Sequence, residues 1–250
     1  LHTKNLTIGY TSKKEVLTIA RDINISLTKG KLITLIGGNG IGKSTLLRTI
    51  TAIQTPISGD VILNNKNLFS IENSDLAQQQ SLVLTDKLPS SNLTVWELIA
   101  LGRQPYTNWI GNLTDDDYSK IKTAVQLTNI EHLTEKKHYE ISDGQLQKVL
   151  IARALAQDTD LIILDEPTNG LDPQGIADIR NLILHLSREQ GKTVLVSSHL
   201  LSEIEQVATR LIIIDKGCKL VEGDSKDLFD KSKTVVAIQT LNNIEATKQL

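Results

Sequence analysis

The run GGNGIGKST at 37–45 has the residue types and spacing needed to hold a polyphosphate. Gly37, Gly38, Gly40 and Gly42, with Asn39 and Ile41 between them, let successive backbone N–H groups curl around phosphate oxygens. Lys43 supplies a cation for the β- and γ-phosphates, and the Ser44 hydroxyl, followed by Thr45, can ligate Mg²⁺. An apolar run, KLITLIG, precedes the glycines and the helix-like TLLRTITAI follows. That places the loop at a helix N-terminus, where the helix dipole also favours an anion. A second reactive pair lies in LIILDEP at 161–167. There Asp165 can hold the Mg²⁺ shell, and Glu166 can orient and deprotonate an attacking water. An Asp-Glu pair after an apolar strand is more often a solvated turn, but a phosphate loop in the same chain makes it hydrolytic machinery.

A third stretch, EISDGQLQKVLIARAL at 140–155, predicts a capped helix. Ser142 and Gln145 have capping-box spacing, and Leu146, Val149, Leu150 and Ala154 share one apolar face. Gly144 weakens the first turn just where the free N–H groups point outward, which suits an approaching anion better than stability.

These residues need a scaffold, and the chain predicts an α/β one. Strands are expected at 31–37, 160–166, 192–198 and 210–215, each a nearly continuous apolar run of the kind found in a parallel sheet covered on both faces. The opening segment adds antiparallel strands in NLTIGY, INISLTKG and SGDVILNNKNL. From about 86 to 157 no strand is expected, only helical segments punctuated by Pro89 and Pro105: a helical subdomain inserted in the α/β core. Beyond Gly223 a helical piece and a strand-like KTVVAIQTL (233–241) are expected. The 250 residues are 40% hydrophobic with net charge −2, so one large folded unit is allowed and no basic surface argues for nucleic acid. Apolar runs such as 161–164 and 211–214 are far shorter than the ~20 residues of a membrane span. A single cysteine, Cys218, fits a reducing compartment. The expectation is a soluble chain. With Leu1 first and no methionine anywhere, it reads as trimmed or altered from its translation product.

The order of these motifs resembles the ATP-binding subunit of ABC transporters from about residue 4 to 230. Tyr10 matches an aromatic that stacks on adenine, followed by the phosphate loop, ISDGQ at 141–145 and LDEP. GLD at 170–172 and His199 after a strand complete the order. The resemblance implies an ABC ATPase domain over 1–231, with an α/β P-loop core, an N-terminal antiparallel β subdomain and the inserted helical subdomain. Residues 232–250 would then be a C-terminal extension. It implies ATP and Mg²⁺ as ligands. ATP would be bound by Tyr10, residues 37–45, and Ser142, Gly144, Gln145 and Asp172. Catalysis would fall to Glu166, His199 and Lys43, and metal binding to Ser44, Asp165 and Thr85. Ile141 and Asp143 depart from the usual LSGGQ signature. A larger departure is the missing glutamine at the strand end that opens the helical subdomain: SLVLTDKLPS (81–90) offers Thr85 or Asp86 instead.

The resemblance further implies a homodimer at the cytoplasmic face of a bacterial inner membrane, peripheral to permease subunits that dock on the helical subdomain. A periplasmic-type substrate-binding protein would act upstream, and nucleic acid is not expected. Trp96, Tyr106 and Trp109 lie in that region, as core packing or as partner contacts. TVWELIALGRQPYTNWIG (94–111) is similar to the ATPases serving importers of iron-siderophore complexes, haem and cobalamin. SSHLLSEIEQVATRLIIIDKG (197–217) is also similar to export systems, and a non-transport ABC ATPase is a further alternative.

Overall fold

The computed structural model describes residues 1–12, 15–86, 88–89, 91–199 and 208–228. The chain begins with β1 (His2–Thr11), β2 (Val16–Ile23) and β3 (Leu32–Ile36), then α1 (Lys43–Ile50), β4 (Ser58–Leu63), β5 (Lys66–Asn67) and α2 (Asn73–Ala77). After β6 (Gln80–Val83) come α3 (Val95–Ala100), α4 (Asp115–Leu127) and α5 (Asp143–Ala156). The chain continues through β7 (Leu161–Leu164), α6 (Pro173–Arg188), β8 (Thr193–Ser198), β9 (Arg210–Asp215) and β10 (Cys218–Asp224) to a helical turn at Ser225–Leu228.

Two sheets form. One is antiparallel, in the order β2-β1-β4-β5; the other has six strands in the order β10-β9-β3-β8-β7-β6. All neighbours in the larger sheet are parallel except β10, which pairs antiparallel with β9 at the edge. Every residue of β7 and β8 is buried, as their apolar composition predicts for strands covered on both faces. Leu46, Leu47 and Ile50 of α1 pack with Ile33, Leu35 and Ile163 in one core cluster. Leu150, Ile151 and Ala154 of α5 and Ile179, Leu182 and Ile183 of α6 join Leu32, Ile162 and Leu164 in another. Since neighbouring residues of a strand face opposite ways, α1 lies on one side of the sheet and α5 and α6 on the other.

The strand expected at INISLTKG is displaced. The partner of β1 lies earlier, over Val16–Ile23, with Tyr10 opposite Leu17. Asp22 adopts a left-handed φ of 52°, and Asn24 donates to its carbonyl at 3.0 Å, so the ladder is interrupted and no regular strand forms over residues 24–30. An isolated bridge from Ser26 to His2 remains, flanked by hydrogen bonds from Thr3 N to the Ile25 carbonyl (2.9 Å) and from Leu27 N to the Leu1 carbonyl (2.8 Å).

Between β6 and β7 the described residues hold no strand, only helices and short 3-10 turns. This block has a core of its own, with Val95, Ile99, Ile121 and Val125 packed on Val149, Ala152 and Ala156. α5 thus serves both cores with two faces. Arg103, buried, pins the block: its Nε donates to Asp117 Oδ1 at 2.6 Å and Nη1 to the Ala156 carbonyl at 2.9 Å. Burial pushes the Asp117 carboxyl up, but Thr114 and Arg103 hold it below the ordinary Asp value. The expected strand at 233–241 and extension at 232–250 lie outside the described residues.

Candidate functional site

Three strand ends converge. β3, β8 and β7 run parallel in register, with Ile36 beside Ser198 and Leu164 beside Val196. The residues that follow them, Gly37, His199 and Asp165, therefore leave the sheet along its C-terminal edge, where open parallel sheets bind ligands.

The phosphate loop reverses direction with positive φ at Gly40 (74°) and Gly42 (105°). At Gly42 a side chain would be strained and would displace Ile19, because a Cβ would lie 2.4 Å from Ile19 Cγ2. Gly42 is also the N-cap of α1, so no side chain caps this helix. By contrast α3, α4 and α5 each start with a closed capping box, from Thr94/Glu97, Thr114/Asp117 and Ser142/Gln145. The free N–H groups of the first turn of α1 are thus left for an external acceptor.

Lys43 is buried at the centre of the site. Its Nζ donates to the carbonyls of Gly37 (2.8 Å) and Gly38 (3.1 Å) and pairs with Glu166 Oε1 at 3.0 Å. The other Glu166 oxygen is bound by His199 Nδ1. Lys43, Glu166 and His199 therefore form one continuous chain, drawn from three strand ends. Glu166 is held at a left-handed φ of 47°, a strained conformation for this residue type, and its N–H donates to Ser197 Oγ at 2.9 Å. The same hydroxyl donates to Asp165 Oδ1 at 2.6 Å. Ser197 was not singled out from the sequence. A polar residue closing the apolar strand TVLVSS, in parallel register with LIIL, is the signal that could have found it.

Asp165 is 1% exposed, and its second oxygen, Oδ2, is buried without a hydrogen-bond partner. A buried, unpaired carboxylate oxygen is costly unless a cation completes it. Among the described residues no group of three or more His, Cys, Asp or Glu could hold a metal. A cation here would take one carboxylate, a hydroxyl such as that of the half-buried Ser44, and oxygens from ligand and water, which suits hard Mg²⁺.

The other expected residues lie further out. Tyr10, 48% exposed at the end of β1, places its hydroxyl 3.3 Å from Thr45 Oγ1, so its ring stands beside α1 rather than in the core. Thr85 is exposed just beyond β6. Asp86 is turned to Arg48 of α1, with two 2.7 Å hydrogen bonds, and so is occupied by a partner that the sequence did not suggest. Ser142 is exposed and Gly144 and Gln145 are half-buried at the start of α5. Asp172 caps α6 by accepting from Gly175 N at 2.8 Å. Among the described residues no hydrogen bond or ion pair joins 142–145 to the phosphate loop of the same chain. Trp109 is 94% exposed and so contributes nothing to a core, while Trp96 stacks on Tyr118 and Tyr106 covers Arg103.

The family model described as ABC transporter matches residues 20–169. An ABC transporter ATP-binding protein of Methanocaldococcus jannaschii is 37% identical over 243 residues, covering 97% of this chain and 82% of that protein. The iron(3+)-hydroxamate import ATP-binding protein of Bacillus subtilis is 38% identical over 229 residues, covering 92% and 84%. Among solved structures, a dimeric bacterial ABC transporter cassette superposes with a TM-score of 0.79 at 26% identity, covering 90% of this chain and 98% of that one. An inward-facing metal-chelate type ABC transporter gives a TM-score of 0.77 at 27% identity, covering 91% and 84%. The phosphate loop, the strand-end carboxylates and these likenesses agree: the chain belongs to the ABC transporter family, as an ATPase subunit of that family.

Proposed function

We propose that this chain drives the import of an iron-siderophore or related metal chelate by closing as a homodimer around ATP and reopening after hydrolysis. The observation that carries the catalytic part is the chain Lys43–Glu166–His199 at the open N-terminus of α1. The iron(3+)-hydroxamate relative supports the cargo class, and the dimeric cassette supports the assembly.

In this reading the N–H groups of residues 37–45 and the Lys43 ammonium bind the β- and γ-phosphates, and the Tyr10 ring stacks on adenine. Binding draws Lys43 away from Glu166, which frees that carboxylate to accept a proton from the attacking water. His199, already bonded to Glu166, keeps it oriented and offers its ring to the γ-phosphate. Ser44 and Asp165 Oδ2 are the groups that would hold Mg²⁺, with Thr85 the remaining hydroxyl of the expected set; when bound, the ion neutralises phosphate charge. Ser197 keeps Asp165 and Glu166 apart in role, because it satisfies one oxygen of the first and the backbone of the second. Ser142, Gly144, Gln145 and Asp172 meet the nucleotide of the second copy. Their place on the opposite side of the sheet from α1 supports this.

Among the described residues no helix is long and apolar enough to cross a membrane, so work on a cargo must pass to permease subunits. They would dock on the helical block, near the exposed Trp109, at the cytoplasmic face of the plasma membrane. A periplasmic-type binding protein would deliver the chelate. The decisive experiment is Glu166→Gln: the variant should bind MgATP, lose turnover and accumulate as a dimer by light scattering. Hydrolysis at the parent rate would remove Glu166 from the role of base.

A further inference from the structure

Two segments reserved for the second copy, the Ser142 turn and the Asp172 loop, touch each other within one chain. A Cβ on Gly144 would lie 3.2 Å from Leu171 Cδ2, so the signature turn rests on the residue before Asp172. Further along both helices, Lys148 Nζ of α5 pairs with Asp178 Oδ2 of α6 at 2.7 Å. Gln174 donates to the other oxygen of Asp178 at 2.8 Å. Lys148 and Gln174, in that order, hold the Asp178 carboxyl below the ordinary Asp value. With side chains 19% and 30% exposed, the pair is better sheltered than the surface pair Lys29–Asp160, at 82% and 73%. It joins α5, which ends the helical block, to α6, which belongs to the sheet core.

We infer that Lys148 and Asp178 are positioning residues that lock the signature turn and the Asp172 loop into one rigid body, so both reach the partner's nucleotide together. Among the described residues, neither side chain bonds to the phosphate loop of its own chain. The pair adds a polar tie near the N-terminal ends of two helices whose later turns already share a core. Without it, the two capped turns can shift relative to one another, which weakens dimer formation but not the first binding of ATP. The inference rests on the proposed ATP-driven dimer.

The test places Lys148→Ala in the Glu166→Gln background. ATP affinity of the monomer is followed with a fluorescent ATP analogue, dimer formation by light scattering, and folding by thermal melting. Expected are unchanged ATP affinity, a melting temperature close to that of the parent, and a dimer dissociation constant raised about tenfold. Lys148→Arg should restore it, and so should the charge-reversed double variant Lys148→Asp with Asp178→Lys. An unaltered dimer constant for Lys148→Ala overturns the inference. Parallel losses of ATP affinity, melting temperature and dimer, with no rescue by Lys148→Arg, also overturn it by making the pair merely structural. If Glu166→Gln alone fails to dimerise with MgATP, the proposed function falls first and takes the inference with it.

Discussion

The helices α1 and α5 both begin at sites that the sequence marks for phosphate, yet their first turns are built oppositely. α1 starts at Gly42, in a conformation and a space that would strain any side chain, with no cap on its N–H groups. α5 starts at Ser142, whose hydroxyl accepts from Gln145 N at 3.3 Å while Gln145 Oε1 accepts from Ser142 N at 3.0 Å. One site stands ready for ligand; the other has satisfied itself and must open or share its cap. In the proposed dimer, this difference would have a nucleotide load first on α1, with α5 joining only when a partner offers phosphate at closer range. It also explains why one first turn needs a buried lysine and the other has none. The open turn of α1 would otherwise leave its loop carbonyls and Glu166 without a cation.

The largest expected effect breaks the open site. Lys43→Ala should lower turnover by about 100-fold or more and abolish saturable binding of MgATP, read by phosphate release and fluorescent-ATP titration. Hydrolysis surviving at a tenth of the parent rate would show that α1 does not carry the charge.

Gly42→Ala comes next, because the new Cβ meets Ile19 and the left-handed φ becomes strained. A stability loss of about 1–3 kcal/mol by chemical denaturation should accompany weakened ATP binding. The equivalent change at Gly144, where φ is not in the left-handed range and Leu171 is the near neighbour, should leave monomer binding intact.

Ser142→Ala sharpens the comparison. Losing the cap should cost about 1 kcal/mol in denaturant titration. It should also reduce ATP-dependent dimer formation while the monomer's ATP affinity stays the same; a drop in that affinity would mean that α5 serves its own chain's nucleotide.

Asp143→Asn should have the smallest effect. An exposed carboxylate in the first turn of α5 favours the free helix but opposes an incoming phosphate. Its removal should tighten the ATP-bound dimer by a factor of about two to five, measured in the Glu166→Gln background. A weaker dimer would show that Asp143 contributes a contact of its own.

Much of the site was legible because its chemistry is local. The glycines, Lys43 and Ser44 occur within one turn of chain, and the apolar runs before them and before Asp165 can only be buried strands. The antiparallel edge was less legible. INISLTKG alternates as a strand should, but the left-handed backbone of Asp22 and the side chain of Asn24, which donates to the Asp22 carbonyl and accepts from Asn5 N, interrupt the ladder. Asp86 was read as a stand-in for the missing glutamine, whereas Arg48, reached across the fold, claims it.

The sequence by itself marked this chain as an ABC ATPase and named a phosphate loop and strand-end carboxylates as its candidate site, since those features lie in residue types at short, fixed spacing. Tertiary structure alone decided which groups are held in reserve. It joined Lys43, Glu166 and His199 into one chain, left Asp165 Oδ2 without a partner and tied Lys148 to Asp178. Each of these depends on strands brought into register or helices packed on one another, and a hydrogen bond between residues distant in sequence exists only once the fold sets their separation.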